Sequence, residues 1–429
     1  MRRLPCLAPL LLLCACDGGG GSPVVDAGPL PDGAVVDGGV VDRDAARPDA
    51  GYEIPTPLSF LGWSPLVAVE TDGQPVIDFI LDTGSPVTVL DTDYYGGAPG
   101  PDTADLATFG TVYPAVDIVR FNAFGSPPPG AILIVGGILG SDFLAGRAVT
   151  IDYHDARGYL FDRLAGEPWV DAAVRTTVTV PFDLAGGGGL SVPGDGTVTI
   201  GPTRIVLTVT FEGTEAEVVV DTGATHTILE EDLLVAFGDP SRPMLRGVDV
   251  GRIGGVSVGY LSRAASMDIG GASVAGPPVL VLPGTTIFDS LRSETGRSIR
   301  ALLGSTFLRH FLTTFDYRDS ELLLARFTDD AHVDPREWIG PGIEVSDGPS
   351  GDFIVSDVYE GTDAEAAGVV PGMRIAEIDG AAVDVYDLDG FRRLLSSKTV
   401  GERIGIGFRE GVSVVVTPVL VEDLLPAYP

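Results

Sequence analysis

The chain contains two copies of one extended pattern in the same order. That repetition constrains its fold more than any other feature. In the first copy, an apolar alternating run Pro65 to Glu70 meets a turn at Asp72-Gly73 and returns through Val76 to Leu81. It then delivers the triplet Asp82-Thr83-Gly84. In the second, Ile205 to Phe211 turns at Glu212-Gly213 and returns through Ala216 to Val220, delivering Asp221-Thr222-Gly223. Alternation around a Gly-containing turn predicts a β-hairpin in each copy, with the triplet at its end. A Thr and two aliphatics follow at matching spacing (Thr88 to Leu90, Thr227 to Leu229). Farther on come GILGSDFL (Gly137 to Leu144) and ALLGSTFL (Ala301 to Leu308), then Thr150 to Tyr153 and Thr314 to Tyr317. The second copy holds roughly 25 more residues between its triplet and Gly304 than the first holds before Gly140. A duplicated hairpin of this kind predicts two homologous β lobes in a mainly β body.

One Asp-Thr-Gly alone is a common strand-to-turn ending, because Asp readily starts a turn. Two, each strand-fed and each followed by hydrophobic-hydrophobic-Gly, resemble the lobe signature of aspartic peptidases. That family includes both the two-lobed pepsin type and the dimeric retropepsin type. The runs DTGATHTILEE and ILGSDFL look closest to the retropepsin-like lobes of bacterial proteins, and the resemblance spans about residues 55 to 330. It implies a bilobal β-barrel body, with lobe 1 over 53–165, an inter-lobe linker over 166–195 and lobe 2 over 196–330.

The resemblance assigns Asp82 and Asp221 as catalytic. Two carboxylates sharing one proton cannot both ionise, so the anion serves as general base on a water and the acid polarises the scissile carbonyl. Gly84 and Gly223 are expected to let backbone approach the pair. Thr83 and Thr222 are expected to hydrogen-bond across the lobe interface, and Leu139-Gly140 and Leu303-Gly304 to pack beneath the loops. The fourth loop positions differ, Ser85 against Ala224. A Ser85 hydroxyl donating to its carboxylate makes Asp82 the anion and Asp221 the acid. Pro86 stands where pepsin-like lobes usually carry a small hydroxyl residue. The Gly-rich stretch Val248 to Tyr260 reads as a mobile hairpin over the cleft. The matching first-lobe stretch, about 92–112, reads as short and poorly patterned. His226 is read as a loop-facing structural residue.

Residues 337–425 change character. The run AAGVVPGMRIAEIDG, ending at Gly380, resembles the PDZ domains of bacterial envelope proteases, small α+β modules. These bind extended peptides by strand addition and often capture a C-terminal carboxylate on backbone N–H groups. The resemblance puts Gly340, Gly342 and Ile343 in the peptide-binding loop, where Pro341 lacks an N–H donor. A helix is expected over Leu388 to Ser397.

The N-terminus carries the basic Arg2-Arg3, an apolar run Leu4 to Leu13 too short to span a membrane, and a Leu13-Cys14-Ala15-Cys16 that resembles a bacterial lipobox. Residues 1–16 are thus read as a lipoprotein signal peptide with Cys16 the lipidated residue. Residues 17–52, almost wholly Gly, Asp, Pro, Val and Ala, are read as an acidic disordered tether. This places the protein in the bacterial envelope, lipid-anchored and facing the periplasm or exterior.

All three cysteines lie in the first sixteen residues, which removes disulfide, zinc-cysteine and cysteine-nucleophile chemistry downstream. The four histidines are scattered, and no Gly-x-Ser-x-Gly elbow occurs. No metal or organic cofactor is implied. A net charge of −33 sets nucleic acid aside as a partner. The expected partners are protein or peptide substrates, a peptide ligand of the C-terminal domain and a membrane through the anchor. Both lobes in one chain point to a monomer. The alternative reading is a catalytically inactive peptide-binding scaffold.

Overall fold

A computed structural model describes residues 10–11, 55–61, 63–123, 135–161, 174–192, 196–239, 241–252, 255–284, 286–327, 339–347, 353–359, 361–383, 402–420 and 424–425. Cys16, the 17–52 segment and the helix expected over Leu388 to Ser397 lie outside the described residues. Leu10–Leu11 runs parallel to the strand Met244–Arg252. Among the described residues, no helix is long and apolar enough to cross a membrane.

The chain is mainly β, and its two repeats fold alike. In the first, Ser64–Thr71 pairs antiparallel with Ile77–Leu81, with Leu66 opposite Ile80. In the second, Arg204–Phe211 pairs with Thr214–Val220, with Val206 opposite Val219. Both turns place consecutive residues at positive φ, Asp72 (50°) with Gly73 (72°) and Glu212 (49°) with Gly213 (82°). That is the conformation of a tight right-twisted hairpin, and it explains a Gly at the second position. Each triplet strand then gains a parallel neighbour: Val135–Leu139 beside the first, Ile299–Leu303 beside the second. The strand after each triplet closes against the other face of that neighbour, Val89 opposite Ile138 and Ile228 opposite Leu302. The triplet is therefore held at a point where three strands of its lobe meet.

One sheet joins the lobes. Ala148–Asp152 pairs antiparallel with Phe311–Asp316, and the matched repeat positions Thr150 and Thr314 face each other directly. Their hydroxyls are 2.7 Å apart and fully buried. An axis of approximate two-fold symmetry thus passes between them. Arg157–Phe161 and Glu321–Phe327 extend this sheet on either side, followed by Thr56–Leu61 and Val174–Pro181. A single hydrophobic cluster containing Phe79, Phe143, Tyr153, Phe211, Phe307 and Phe315 runs beneath both lobes.

Two expectations change. The 166–195 segment is not a plain linker: Val174–Pro181 zips onto Glu321–Phe327, and Asp183–Ala185 pairs with Arg204–Phe211. Its alternating Thr and Val residues suit an edge strand with one face on the core. The poorly patterned 92–112 stretch also forms structure, a short helix Thr92–Tyr95 and then a long hairpin, Gly100–Thr108 with Thr111–Phe121. The strand inside that stretch, Gly100–Thr108, buries Gly100, Ala104, Leu106 and Thr108, and small or polar residues at most of those positions leave little apolar alternation to read.

Strand pairing shows what this hairpin corresponds to. Gly100–Thr108 pairs with the opening hairpin strand (Thr71 opposite Leu106), as Ser266–Ile269 does in lobe 2 (Phe211 opposite Met267). Thr111–Phe121 lies parallel to Val89–Asp91, as Pro278–Leu282 does to Thr227–Glu230. Among the described residues, Met244–Arg252 has no counterpart in lobe 1. It pairs with Gly255–Arg263, and this additional hairpin accounts for the longer second copy.

The C-terminal unit is a separate sheet ordered Ile343–Asp347, Phe353–Val358, Arg374–Ile378, Ile404–Phe408, Ser413–Val416, with a short helix Asp363–Ala366. Ile343, Val345, Phe353, Val355, Ile375 and Ile406 form its own core. Tyr359 and Leu425 pack instead with Leu245, Leu261 and Leu280 of lobe 2, which docks this unit on the body.

The inter-lobe threonine pair carries a prediction. Thr314→Val leaves the Thr150 hydroxyl buried without its partner and is expected to cost about 1–2 kcal/mol. Replacing both threonines by valine should cost less than the two single changes summed. Urea denaturation of the four proteins measures the coupling.

Candidate active site

The two triplets meet at the bottom of the interface between lobes. Thr83 N–H donates to Thr222 Oγ1 at 3.0 Å, and Thr222 N–H donates to Thr83 Oγ1 at 3.1 Å. Each hydroxyl then donates onward to the other lobe's strand: Thr83 Oγ1 to the Val220 carbonyl (3.0 Å), Thr222 Oγ1 to the Leu81 carbonyl (2.6 Å). All four atoms are buried, so both donor and acceptor capacity of each threonine is used where water cannot substitute.

Beneath each loop sits the Leu-Gly pair. Asp82 N–H donates to the Leu139 carbonyl and Asp221 N–H to the Leu303 carbonyl, both at 3.0 Å. A Cβ on Gly140 would lie 2.3 Å from the Val87 carbonyl oxygen, and one on Gly304 would lie 2.1 Å from that of His226. No other residue fits either crossing. The recurring threonines close the arrangement, since Gly140 N–H donates to Thr88 Oγ1 and Gly304 N–H to Thr227 Oγ1, each at 3.2 Å. His226 itself is buried behind the second triplet.

The side chains of Asp82 and Asp221 are fully buried, and among the described residues the Oδ2 of each has no hydrogen-bond partner. Each lies against the opposite lobe's glycine. A Cβ at Gly84 would stand 2.4 Å from Asp221 Cγ, and one at Gly223 would stand 2.7 Å from Asp82 Cγ. The triplet glycines therefore admit the partner's carboxylate, a more specific demand than backbone freedom. Among the described residues, Asp82 Oδ1 accepts two backbone N–H groups, Gly84 (2.7 Å) and Ser85 (3.0 Å). Asp221 Oδ1 accepts one, from Ala224 (2.9 Å).

Burial pushes Asp82 up from 3.8 to about 6, opposed by the Gly84 N–H, the neighbouring Asp221 carboxyl, the Ser85 N–H and the charge of Arg204. Burial, then the charge of Asp82, hold Asp221 well above the usual carboxylate range, against the opposing charge of Arg204 and the Ala224 N–H. Asp82 is thus the more acidic of the two. The expected cause is corrected, however. The Ser85 hydroxyl donates to the Val87 carbonyl at 2.8 Å, bridging Pro86, and contributes nothing directly to the carboxylate. The unequal backbone donors favour the anion at Asp82.

Two residues at the site have no signal in the sequence. Arg204, with its side chain 1% exposed, donates to the Gly84 carbonyl and pairs with Glu294 at 2.6 Å. Ser64 donates to the Gly223 carbonyl at 2.7 Å. Neither lies in a motif, and only their positions at the starts of matched hairpin strands mark them. The root of the lobe 2 hairpin is clamped by Arg242, which holds Glu212 through two bonds of 2.6 and 2.7 Å.

The C-terminal loop residues lie apart from the carboxylates. Gly340 pairs with Val419, and Ile343 is buried opposite Val358. Gly342 has φ +81°, its carbonyl accepts the Tyr359 N–H, and a Cβ there would meet Thr362 at 2.5 Å.

Residues 207–307 match the family model described as Aspartyl protease. This segment contains Asp221, Thr222, Gly223, Leu303 and Gly304, and the match supports an aspartic peptidase. Among solved structures, the chain is similar to the crystal structure of aspartic proteinase from Irpex lacteus. Identity is 15%, the TM-score 0.42, and the similarity covers 65% of this chain and 99% of that one. A search of curated proteins finds no match.

The buried pair links stability to pH. A carboxyl raised from 3.8 to about 6 contributes stability that is fully present below pH 3.8 and lost as pH rises through about 6. Asp221 acts in the same direction. Asp82→Asn lacks this ionisation, so its stability relative to wild type should increase between pH 4 and pH 7. Urea midpoints for both proteins across that range test the sign.

Proposed function

We propose that this protein is an aspartic endopeptidase of the bacterial envelope, in which Asp82 and Asp221 activate one water against a peptide carbonyl. The observation that carries the reading is the pair of fully buried carboxylates delivered by crossed Asp-Thr-Gly loops, each set against the other loop's glycine. The match of lobe 2 to the aspartyl protease family supports it.

The chemistry follows from the two environments. Asp82, with the larger number of backbone donors, is the anion and takes a proton from the bound water as that oxygen attacks the carbonyl carbon. Asp221 holds the shared proton and donates it toward the carbonyl oxygen, giving a neutral tetrahedral diol. Collapse of the diol transfers a proton to the amide nitrogen and breaks the C–N bond. Both carboxyls return to the one-proton state. No charge leaves the pair during the cycle, which suits a site with little water to stabilise one. The Met244–Arg252 and Gly255–Arg263 hairpin, which has no lobe 1 counterpart among the described residues, is read as the element that covers substrate.

The C-terminal unit is proposed as a PDZ domain that recruits substrate. Ile343–Asp347 ends its sheet among the described residues, leaving an edge available for an added peptide strand. Gly340, Gly342 and Ile343 form the loop at that strand's start. The lipid anchor at Cys16 is proposed from the sequence alone. Both carboxylates come from one chain, which supports action as a monomer.

Asp82→Asn and Asp221→Asn should each reduce hydrolysis of an internally quenched peptide library by about 10³-fold or more. Wild-type activity should fall as pH drops below about 6, because Asp82 then becomes protonated and loses its function as base. Cleavage that survives both substitutions would sink the mechanism. Deleting residues 337–429 should lower kcat/KM for unfolded protein substrates while leaving short-peptide hydrolysis near wild type. Equal loss on both substrates would remove the recruiting role.

A further inference from the structure

Ser64 and Arg204 occupy the same position in the two repeats, the first residue of each opening hairpin strand. Each reaches the opposite lobe's triplet and donates to its glycine carbonyl: Ser64 Oγ to Gly223, Arg204 Nη1 to Gly84. Each of those carbonyls belongs to the peptide unit whose N–H faces a carboxylate. The Ser85 N–H donates to Asp82 Oδ1 at 3.0 Å, and the Ala224 N–H donates to Asp221 Oδ1 at 2.9 Å. The molecule therefore contains two matched relays. One runs from Arg204 through the Gly84–Ser85 peptide to Asp82. The other runs from Ser64 through the Gly223–Ala224 peptide to Asp221.

The relays share a geometry and differ in charge. A donor on the carbonyl polarises the peptide and strengthens its N–H as a donor in turn. An ionised donor forms a bond roughly twice as strong as a neutral one. The guanidinium is buried, so its field is poorly screened and lowers both carboxyls, while the Gly84–Ser85 peptide carries its added effect to Asp82 alone; its Glu294 partner on the helix Thr286–Thr295 offsets only part of that charge. The other titratable groups facing this region are Tyr317, which is kept neutral by burial within range of the Asp82 and Asp142 charges, and Asp142, which accepts hydrogen bonds from Thr88. Neither supplies positive charge.

We propose that Arg204 is the positioning residue that makes Asp82 the anion of the pair, acting through the Gly84–Ser85 peptide, with Ser64 as its neutral counterpart. This rests on the paired-carboxylate reading above. The repeat thereby adds a Ser-to-Arg difference outside both triplets to the unequal backbone donors within them.

The test uses the full chain with 13C-labelled aspartate carboxyls, assigned with Asp82→Asn and Asp221→Asn, alongside pH–rate profiles on the quenched peptide library. Arg204→Met is expected to move the Asp82 titration upward by about one pH unit. The acid limb of the rate profile should move with it. Arg204→Lys should restore most of that shift, Glu294→Gln should move the titration downward, and Ser64→Ala should leave Asp82 in place. A folded Arg204→Met protein whose Asp82 titration is unmoved overturns the proposal. If Arg204→Met does not fold, Glu294→Gln decides, and the absence of a downward shift overturns it. Carboxyl titrations that respond as expected without hydrolysis by wild type sink the peptidase reading and leave the relay standing. Hydrolysis with unresponsive titrations does the reverse.

Discussion

Two carboxylates in contact within a dry interior repel each other, and the rest of the body is organised around holding them there. At about 4 Å and an effective dielectric of 20, two full charges would oppose assembly by about 4 kcal/mol. The four crossed threonine bonds, at roughly 1 kcal/mol each, are only comparable to that repulsion. The inter-lobe sheet and the shared core must therefore carry the association, while the threonines set its geometry. The shared proton removes the repulsion altogether, so the one-proton state is also the one in which the lobes fit best. Chemistry and assembly demand the same protonation state.

The approximate two-fold axis through Thr150 and Thr314 explains why so many contacts come in pairs. Asp82 with Leu139 repeats as Asp221 with Leu303, and Thr88 with Gly140 repeats as Thr227 with Gly304. The departures from symmetry fall close to the carboxylates or above them. Arg204 stands opposite Ser64. Asp142, which takes three hydrogen bonds from Thr88 and Phe143, stands opposite Thr306, which takes one from Thr227. The Met244–Arg252 and Gly255–Arg263 hairpin exists only in lobe 2 among the described residues. The paired contacts are those that backbone geometry requires, and the unpaired ones are those that side-chain charge or substrate access can vary.

The sequence makes the paired features legible and conceals the others for physical reasons. The hairpins, triplets and Leu-Gly crossings are short-range, each governed by a few neighbouring residues, so their spacing alone locates them. The 174–181 strand is invisible because its partner, Glu321–Phe327, lies about 140 residues away and its own run resembles any Thr/Val stretch. The first-lobe hairpin is missed because the buried positions of Gly100–Thr108 are held mainly by small or polar residues, which weakens the alternation that marks a half-buried strand. Arg204 is concealed more deeply. A lone arginine before an apolar strand is ordinarily a surface residue, and only the crossing of the lobes brings its guanidinium to the Gly84 carbonyl. Ser85 misleads for a related reason: the residue type suits the role, but Pro86 turns the chain so that the hydroxyl caps Val87 instead.

Placing both lobes in one chain has a consequence that a symmetric pair of identical chains cannot share. Two identical loops start equivalent, and only the proton distinguishes them from moment to moment. Two loops encoded separately can differ permanently, at the triplet or behind it. Here the triplets have remained alike, because each glycine must admit the other's carboxylate and each threonine must cross to the other strand. A change within them would break the geometry on both sides at once. The first residues of the hairpin strands touch the triplets through a carbonyl oxygen, which a hydroxyl or a guanidinium can equally satisfy. A charge can be introduced there without disturbing the crossing, and the two lobes differ at that position.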